Sequence, residues 1–338
     1  MNIETSAVSV EKNESDLRIC YVGYNKSEEE RKKSSSGGVF YLLAKHVLSK
    51  GGVVYGAAFD ENFLVHHKGI ASLGQLDEIV GSKYLQSRLG NSFSEIKAYL
   101  DSGRDVLFVG TACQIAGLKN FLRKPYKNLL TVDFICLGVP SPKVWKDYLD
   151  TFFKNESISK INFKDKKRGW HTFSLSIKSE NKEFSEDGKQ TYFFSGYFKG
   201  LYSRPCCSEC EIKKQSCRVS DITLSDSWGC ENFAYELDDN KGLSNIIVHS
   251  ELGLRVFEEI SDGLNYQKAN FDELIENNKG YFDSKPFSEK RSQFWRDYNL
   301  LDKRKLFSKY CSSTYGMRKI YRDFKQRIKK MFLRDRKL

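Results

Sequence analysis

Proline is scarce, five in 338 residues, and no segment is dominated by proline, glycine or serine. With 40% apolar and 14% aromatic residues, that scarcity excludes an extended or low-complexity chain and leaves one that can bury a core. No run of about 18 or more apolar residues occurs, which excludes a spanning helix. The opening MNIETSAVSVEKNESDLR has no apolar stretch of the kind a signal peptide needs, so a cytoplasmic chain is expected. Charge of one sign is also missing from most of the chain. Residues 303–338 carry 14 Lys/Arg against 2 Asp/Glu, a local +12, while the whole chain is +11, so the remainder stands near −1. A nucleic-acid protein spreads basic residues over its binding face, and no nucleic-acid partner is expected here.

What is present is a chain long enough for two domains, or one large α/β domain with additions. Residues 1–17 read as a mobile leader, and Leu17–Gly23 as a strand. Val39–Gly52 has helical periodicity ended by a glycine pair, GVVYGAAF (52–59) reads as a buried strand, and Phe93–Ser102 as an amphipathic helix. Then a pattern repeats: DVLFVG, a short loop and the helical QIAGLKNFLRK, followed by LLTVDFI, a loop and the helical KVWKDYLDTFF. Strand, loop and helix in series mark a parallel sheet with crossover helices. After about residue 157, FSLSIKS and QTYFFSGYF alternate as antiparallel strands do, DITLSDSWG reads as a short strand, and SNIIVHSELGLRVFEEI as strand then helix. Residues 262–302 are polar and show little helical periodicity. The expected fold class is therefore α/β: a mainly parallel sheet with crossover helices in the N-terminal half, a mixed α+β second half, and a C-terminal basic helix.

Nine cysteines, an odd number, stand in a chain with no export signal, which argues against a disulfide framework. Five of them fall between residues 206 and 230. Cys113 and Cys136 each follow a strand of the repeated pattern, and sites in open α/β sheets form at such strand ends. Cys207 and Cys210 form a C-x-x-C pair, which presents two thiolates from one turn. Together they allow a four-thiolate site, either a structural zinc or a cubane iron–sulfur cluster, and spacing does not choose between these. Each single cysteine reads equally well as a small buried hydrophobe. Cys206, Cys217 and Cys230 lie near enough in sequence to replace a ligand, while Cys20 and Cys311 look incidental.

Two segments invite an anion. Ser34-Ser35-Ser36-Gly37-Gly38 precedes a helix, where free N–H groups and the dipole favour a phosphate, although a serine cap with a flexible glycine pair explains it as simply. In GSKYLQS (81–87), Lys83 can neutralise a pyrophosphate or an anionic reduced flavin, and Tyr84 can stack or donate; an exposed lysine beside a packing tyrosine is the plain alternative.

The ordered blocks SSSGGVF, GGVVYGAAF, GSKYLQS, VLFVGTACQIAGLKNFL, VDFICLGVPSPKVW, NFKDKKRGW, RPCCSEC and SDITLSDSWG together resemble the coenzyme F-420 hydrogenase/dehydrogenase beta-subunit family, over about residues 31–260. The resemblance implies an oxidoreductase with a flavin, FAD or FMN, and a [4Fe–4S] cluster. It implies cluster ligands at Cys113, Cys136, Cys207 and Cys210, and a flavin site using Ser35, Ser36, Gly37, Gly38, Lys83, Tyr84 and Ser87. The parts become 18–156 for flavin, 157–300 for the mixed part with the cysteine segment, and 303–338 for a basic amphipathic tail. Bacterial relatives are often encoded beside polysaccharide-biosynthesis genes. Ala112 stands where proline is usual, Leu137 where histidine is, Cys206 where serine is common and Ser227 where an aromatic is. Relatives often carry a ferredoxin-like module with C-x-x-C-x-x-C runs; this chain has no such run, so a separate ferredoxin-like electron-transfer protein is expected as partner, beside a hydride-carrying small molecule.

In residues 317–332, Met317, Ile320, Tyr321, Phe324, Ile328, Met331 and Phe332 recur at helical spacing between basic residues. That pattern suits peripheral contact with an anionic membrane face, or equally a helix docked on the body with a solvated basic side. Two rival functions stay open on sequence: a non-redox binding or scaffold protein with a structural four-cysteine zinc site, and a nucleotide-sugar enzyme using the SSSGG loop.

Overall fold

The computed structural model describes residues 17–180, 182–214 and 218–313. The leader before Leu17, Cys217 and the 317–332 pattern lie outside the described residues. No helix among the described residues is long and apolar enough to cross a membrane.

The strands are β1 (Ile19–Asn25), β2 (Val53–Phe59), β3 (Val65–Ile70), β4 (Val106–Thr111), β5 (Leu129–Phe134), β6 (Ile158–Asp165), β7 (Ser174–Ser179), β8 (Glu183–Asp187), β9 (Ile222–Asp226), β10 (Ser244–Val248) and β11 (Leu264–Lys268). Eight of them form one sheet in the order β11-β1-β10-β9-β5-β4-β2-β3. Its centre, β2-β4-β5-β9, is parallel, and antiparallel strands close it on both sides. The repeated strand–loop–helix units are the middle of that centre. Helix Ala112–Leu122 opens with a capping box from Thr111 and Gln114, and helix Pro142–Phe152 with Ser141 as cap and Pro142 at its first position, so each chain turn out of β4 and β5 is fixed locally.

Period-2 alternation puts Val54, Leu107, Leu130, Val132 and Ile246 on one face, under helices Val39–Ser49 and Glu251–Ile260. Val53, Tyr55, Val106, Phe108 and Leu129 face the other way, onto helices Ser92–Asp101 and Ala112–Leu122. A second layer, the antiparallel sheet β6-β7-β8, packs its aromatic face against Trp145 and Tyr148. Each fully buried aromatic there contributes on the order of 2–3 kcal/mol.

QTYFFSGYF is not a strand. Tyr192–Phe198 is a helix, capped by the Thr191 hydroxyl, which accepts from the Phe194 N–H. Phe193, Phe194 and Tyr197 share its buried face, at spacings of one, three and four that suit a helix, and helix Lys303–Cys311 packs on it with Cys311 against Gly196, while Phe307 lies on Tyr148 and Phe152 and Tyr310 on Phe294. The first part of the basic tail is thus a docked helix. Residues 262–302 also hold more structure than their polarity suggests: β11 and helices Phe271–Glu276 and Arg291–Tyr298. Their cues are local, such as the Asn270–Glu273 capping box, and not periodic.

Candidate functional site

The loops after β4 and β5 meet the cysteine segment at one end of the parallel strands. Arg204 N–H donates to Val139 O (2.9 Å), Ser141 N–H to Tyr202 O (2.9 Å), and the Tyr197 hydroxyl to Gly138 O (2.9 Å). These bonds lace residues 197–207 onto the CLGVPSP loop. Gly138 has φ +96°, and a side chain there would come within 3.0 Å of the Cys207 Cβ. Its N–H points at the Cys136 sulfur, 3.2 Å away.

Cys113 is exposed beside the Thr111 hydroxyl (3.1 Å), and Cys136, Cys207 and Cys210 are half-buried. Burial pushes the Cys136 thiol up to about 12; the Gly138 N–H and Lys213 act against that, and Cys207 and Cys113 add to it. Burial also raises Cys207, with Cys206, Cys113 and Cys210 contributing. The four expected ligands therefore share one electrostatic neighbourhood. Among the described residues, no three or more His, Cys, Asp or Glu side chains are drawn together as a single metal ion would need. Cys206 is exposed beside the group, whereas Cys20, Cys230 and Cys311 are buried elsewhere.

The two anion-inviting loops touch. Ser82 N–H donates to the Ser35 hydroxyl (2.6 Å). The Ser36 hydroxyl donates to Leu243 O (2.6 Å), and Gly37 N–H donates to the Ser244 hydroxyl (2.9 Å). Gly38, at φ +85°, turns the chain into helix Val39–Ser49. Ser87 is bonded to buried His67 (2.7 Å). The polar groups of Ser35, Ser36, Gly37 and Ser87 thus serve the loop itself. Lys83 is different: its ammonium donates to Val80 O (3.0 Å) and Gly81 O (3.1 Å), pairs with no carboxylate among the described residues, and is lowered to about 7 by burial. Tyr84 lies edge-on to Phe194 and Tyr197 (5.0 and 6.0 Å), its acidity weakened first by burial and then by Asp226 and Cys136. Tyr197 is likewise made less acidic, first by burial and then by its neighbours Cys136, Tyr84 and Cys207. Tyr84 and Tyr197 therefore bridge the Lys83 loop and the thiols.

Sequence reasoning gave no role to three residues near the ends of β6 and β9. Lys166 donates to Arg31 O and Ser36 O and is lowered to about 7 by burial, with Arg31 and Lys164 adding to it. Lys164 pairs with Asp226, which also accepts from the Trp170 indole (3.2 Å). The alternating lysines of NFKDKK were the available signal, because period 2 puts Lys164 and Lys166 on one side of the strand end. His171 bonds Asp238 (2.8 Å) at the surface. A cleft of about 590 Å³ on the β3 edge, lined by residues including Asp60, His66, Arg88 and Glu95, contains none of the expected site residues.

A family model for the C terminus of the coenzyme F420 hydrogenase/dehydrogenase beta subunit matches residues 103–273, just over half of the chain. No curated protein matches it. Among solved structures, the chain is similar to one from the F420-reducing [NiFe] hydrogenase complex of Methanosarcina barkeri, in a xenon derivative, at 16% identity and a TM-score of 0.54, covering 84% of this chain and 93% of that one. At that identity the likeness is one of fold, and it spans both halves of the chain.

Proposed function

The chain belongs to the coenzyme F420 hydrogenase/dehydrogenase beta-subunit family, and from that premise we propose that it is a flavin- and [4Fe–4S]-dependent oxidoreductase. It passes electrons between a small hydride-carrying molecule and a separate ferredoxin-like protein. The observation that supports this most is the adjacency of four neighbouring thiols to a loop with a half-buried lysine that pairs with no carboxylate among the described residues, with two tyrosines between them. The donor set fits an iron–sulfur cluster: cysteine alone, one N–H···S contact from Gly138, and a buried ammonium at Lys213.

In this reading, Cys113, Cys136, Cys207 and Cys210 hold the cluster. Lys83 and Lys166 offer their remaining ammonium donors to the phosphate or the anionic ring of FAD or FMN. Ser35, Ser36, Gly37, Gly38 and Ser87 set the shape of the flavin loop. Bound side by side, a flavin and an iron–sulfur cluster supply the exchange of one hydride for two single electrons. The chain's own part is to hold both sites close and to exclude water with the Tyr84, Phe163, Phe194 and Tyr197 rings. On the same reading the protein works in the cytoplasm, in polysaccharide biosynthesis, with the tail beyond the docked helix, residues 312–338, contacting the inner membrane face.

Protein purified without air tests the flavin half. Yellow-brown protein releasing FAD or FMN, with flavin retention reduced at least tenfold by Lys83→Met, is expected. Colourless protein that contains zinc and no flavin would establish the scaffold reading instead.

A further inference from the structure

We propose that Lys213 is a built-in counter-charge to the four-cysteine centre, a positioning charge that sets the centre's reduction potential. This rests on the reading that Cys113, Cys136, Cys207 and Cys210 hold a redox cluster. Lys213 follows the C-x-x-C pair at the same spacing, as Cys207, Cys210 and Lys213, and its N–H donates to Cys210 O (3.1 Å). It is only 7% exposed, and its ammonium donates to Asp283 O (2.7 Å).

Removing an ammonium from water costs several kcal/mol unless negative charge answers it. No carboxylate pairs with Lys213 among the described residues, whereas its neighbour Lys214 pairs at the surface with Glu211. The acidic groups that act on Lys213 are sulfur: Cys136, Cys210 and Cys207 favour its charge, against burial and Arg218, which oppose it. Neutral thiols repay little of the burial cost, but thiolates around an inorganic centre repay much of it. An ammonium has three donors, and the Asp283 carbonyl takes one, so two are left for that side. Each one-electron reduction, by dithionite in a titration, adds one negative charge to the centre. A fixed cation nearby stabilises the reduced form more than the oxidised one, with no proton moving at Lys213.

The bond to Asp283 also pins residues 281–285, where the Ser284 hydroxyl accepts from Cys210 N–H (3.0 Å), so a purely structural role must be separated from the charge effect. Lys213→Met keeps the stem and removes the charge; Lys213→Arg keeps the charge. In a redox titration of the anaerobically purified full chain, followed by electron paramagnetic resonance, Lys213→Met should lower the equilibrium for one-electron reduction at least tenfold, about 59 mV. Lys213→Arg should stay within about threefold of wild type. An unchanged potential in Lys213→Met with full iron content overturns the inference. A second readout does not need the centre: in the full chain stripped of iron, the buried ammonium has no anion to answer it, so Lys213→Met should unfold at a temperature no lower than Lys213→Arg. A clearly lower midpoint in Lys213→Met overturns the inference, and iron-free wild-type protein counts against the cluster reading alone.

Discussion

Asp226, the last residue of β9, answers two buried donors at once. The Lys164 side chain is 1% exposed and that of Asp226 18%, and the indole of Trp170 donates to the second carboxylate oxygen. Beyond Asp226, among the described residues Lys164 faces the Phe173 and Trp228 rings, at 5.3 and 5.1 Å, each worth about 1 kcal/mol. Asp226→Asn leaves the lysine charge buried without its anion. Removing one partner of a buried pair costs about 3–5 kcal/mol. Asparagine still accepts one bond, and the carboxylate is partly open to water, so the lower end applies, about 3 kcal/mol. With an unfolding entropy of about 2.1 cal/mol/K per residue, a chain of this size shifts by roughly 1.4 °C per kcal/mol, so the thermal midpoint should fall by about 4 °C. Lys164→Met in the same background should recover most of that, because exchanging both partners for uncharged groups removes the orphan charge. Thermal unfolding of the single and double variants by circular dichroism measures both effects. A single variant that melts within about 1 °C of wild type, or a double variant no better than the single, refutes the pairing argument.

His67 is buried between the Val109 carbonyl and the Ser87 hydroxyl, and burial lowers it to about 4. The unfolded chain takes up that proton first, near pH 6.5, so the stability present above pH 6.5 is lost as the pH falls towards about 4, about 3 kcal/mol in full. In denaturant titrations, the stability difference between wild type and His67→Gln should shrink by about 2 kcal/mol from pH 7.5 to pH 5; a constant difference contradicts the sign and the site. Gly138→Ala forces a side chain at φ +96° against Cys207 and should cost about 1–3 kcal/mol while lowering iron per chain; full iron content would show that this contact does not position the ligand. Thr191→Ala removes the cap of helix Tyr192–Phe198 and should cost about 1 kcal/mol in the same titration, with no loss meaning the cap is idle.

The parallel centre of the sheet was legible because its signals are local: apolar runs of strand length, followed within a few residues by caps such as Thr111–Gln114 and Ser141–Pro142. That Cys113 and Cys136 hold equivalent places, after β4 and β5, was legible for the same reason. The antiparallel flank was not, because β1 pairs with β10 and β11 across more than 200 residues and nothing in a single strand names its partner. Tyr192–Phe198 misled because a short aromatic run fits period 2 and period 3.6 almost equally. The roles of Lys164, Lys166 and Lys213 depend on burial, and a lysine buried by distant segments looks like any surface lysine in sequence. The serines of the SSSGG loop show the converse: they read as ligand donors, and the fold engages Ser35 and Ser36 in its own hydrogen bonds.

The central claim, that separated thiols converge on an inorganic redox centre, is tested most directly by electron paramagnetic resonance of the dithionite-reduced, anaerobically purified protein, with iron and sulfide analysis. About four iron atoms per chain and one signal of a reduced [4Fe–4S] cluster are expected, both lost in Cys136→Ser. Protein that carries no iron, or that keeps the same iron and signal when Cys136 is replaced, contradicts the claim.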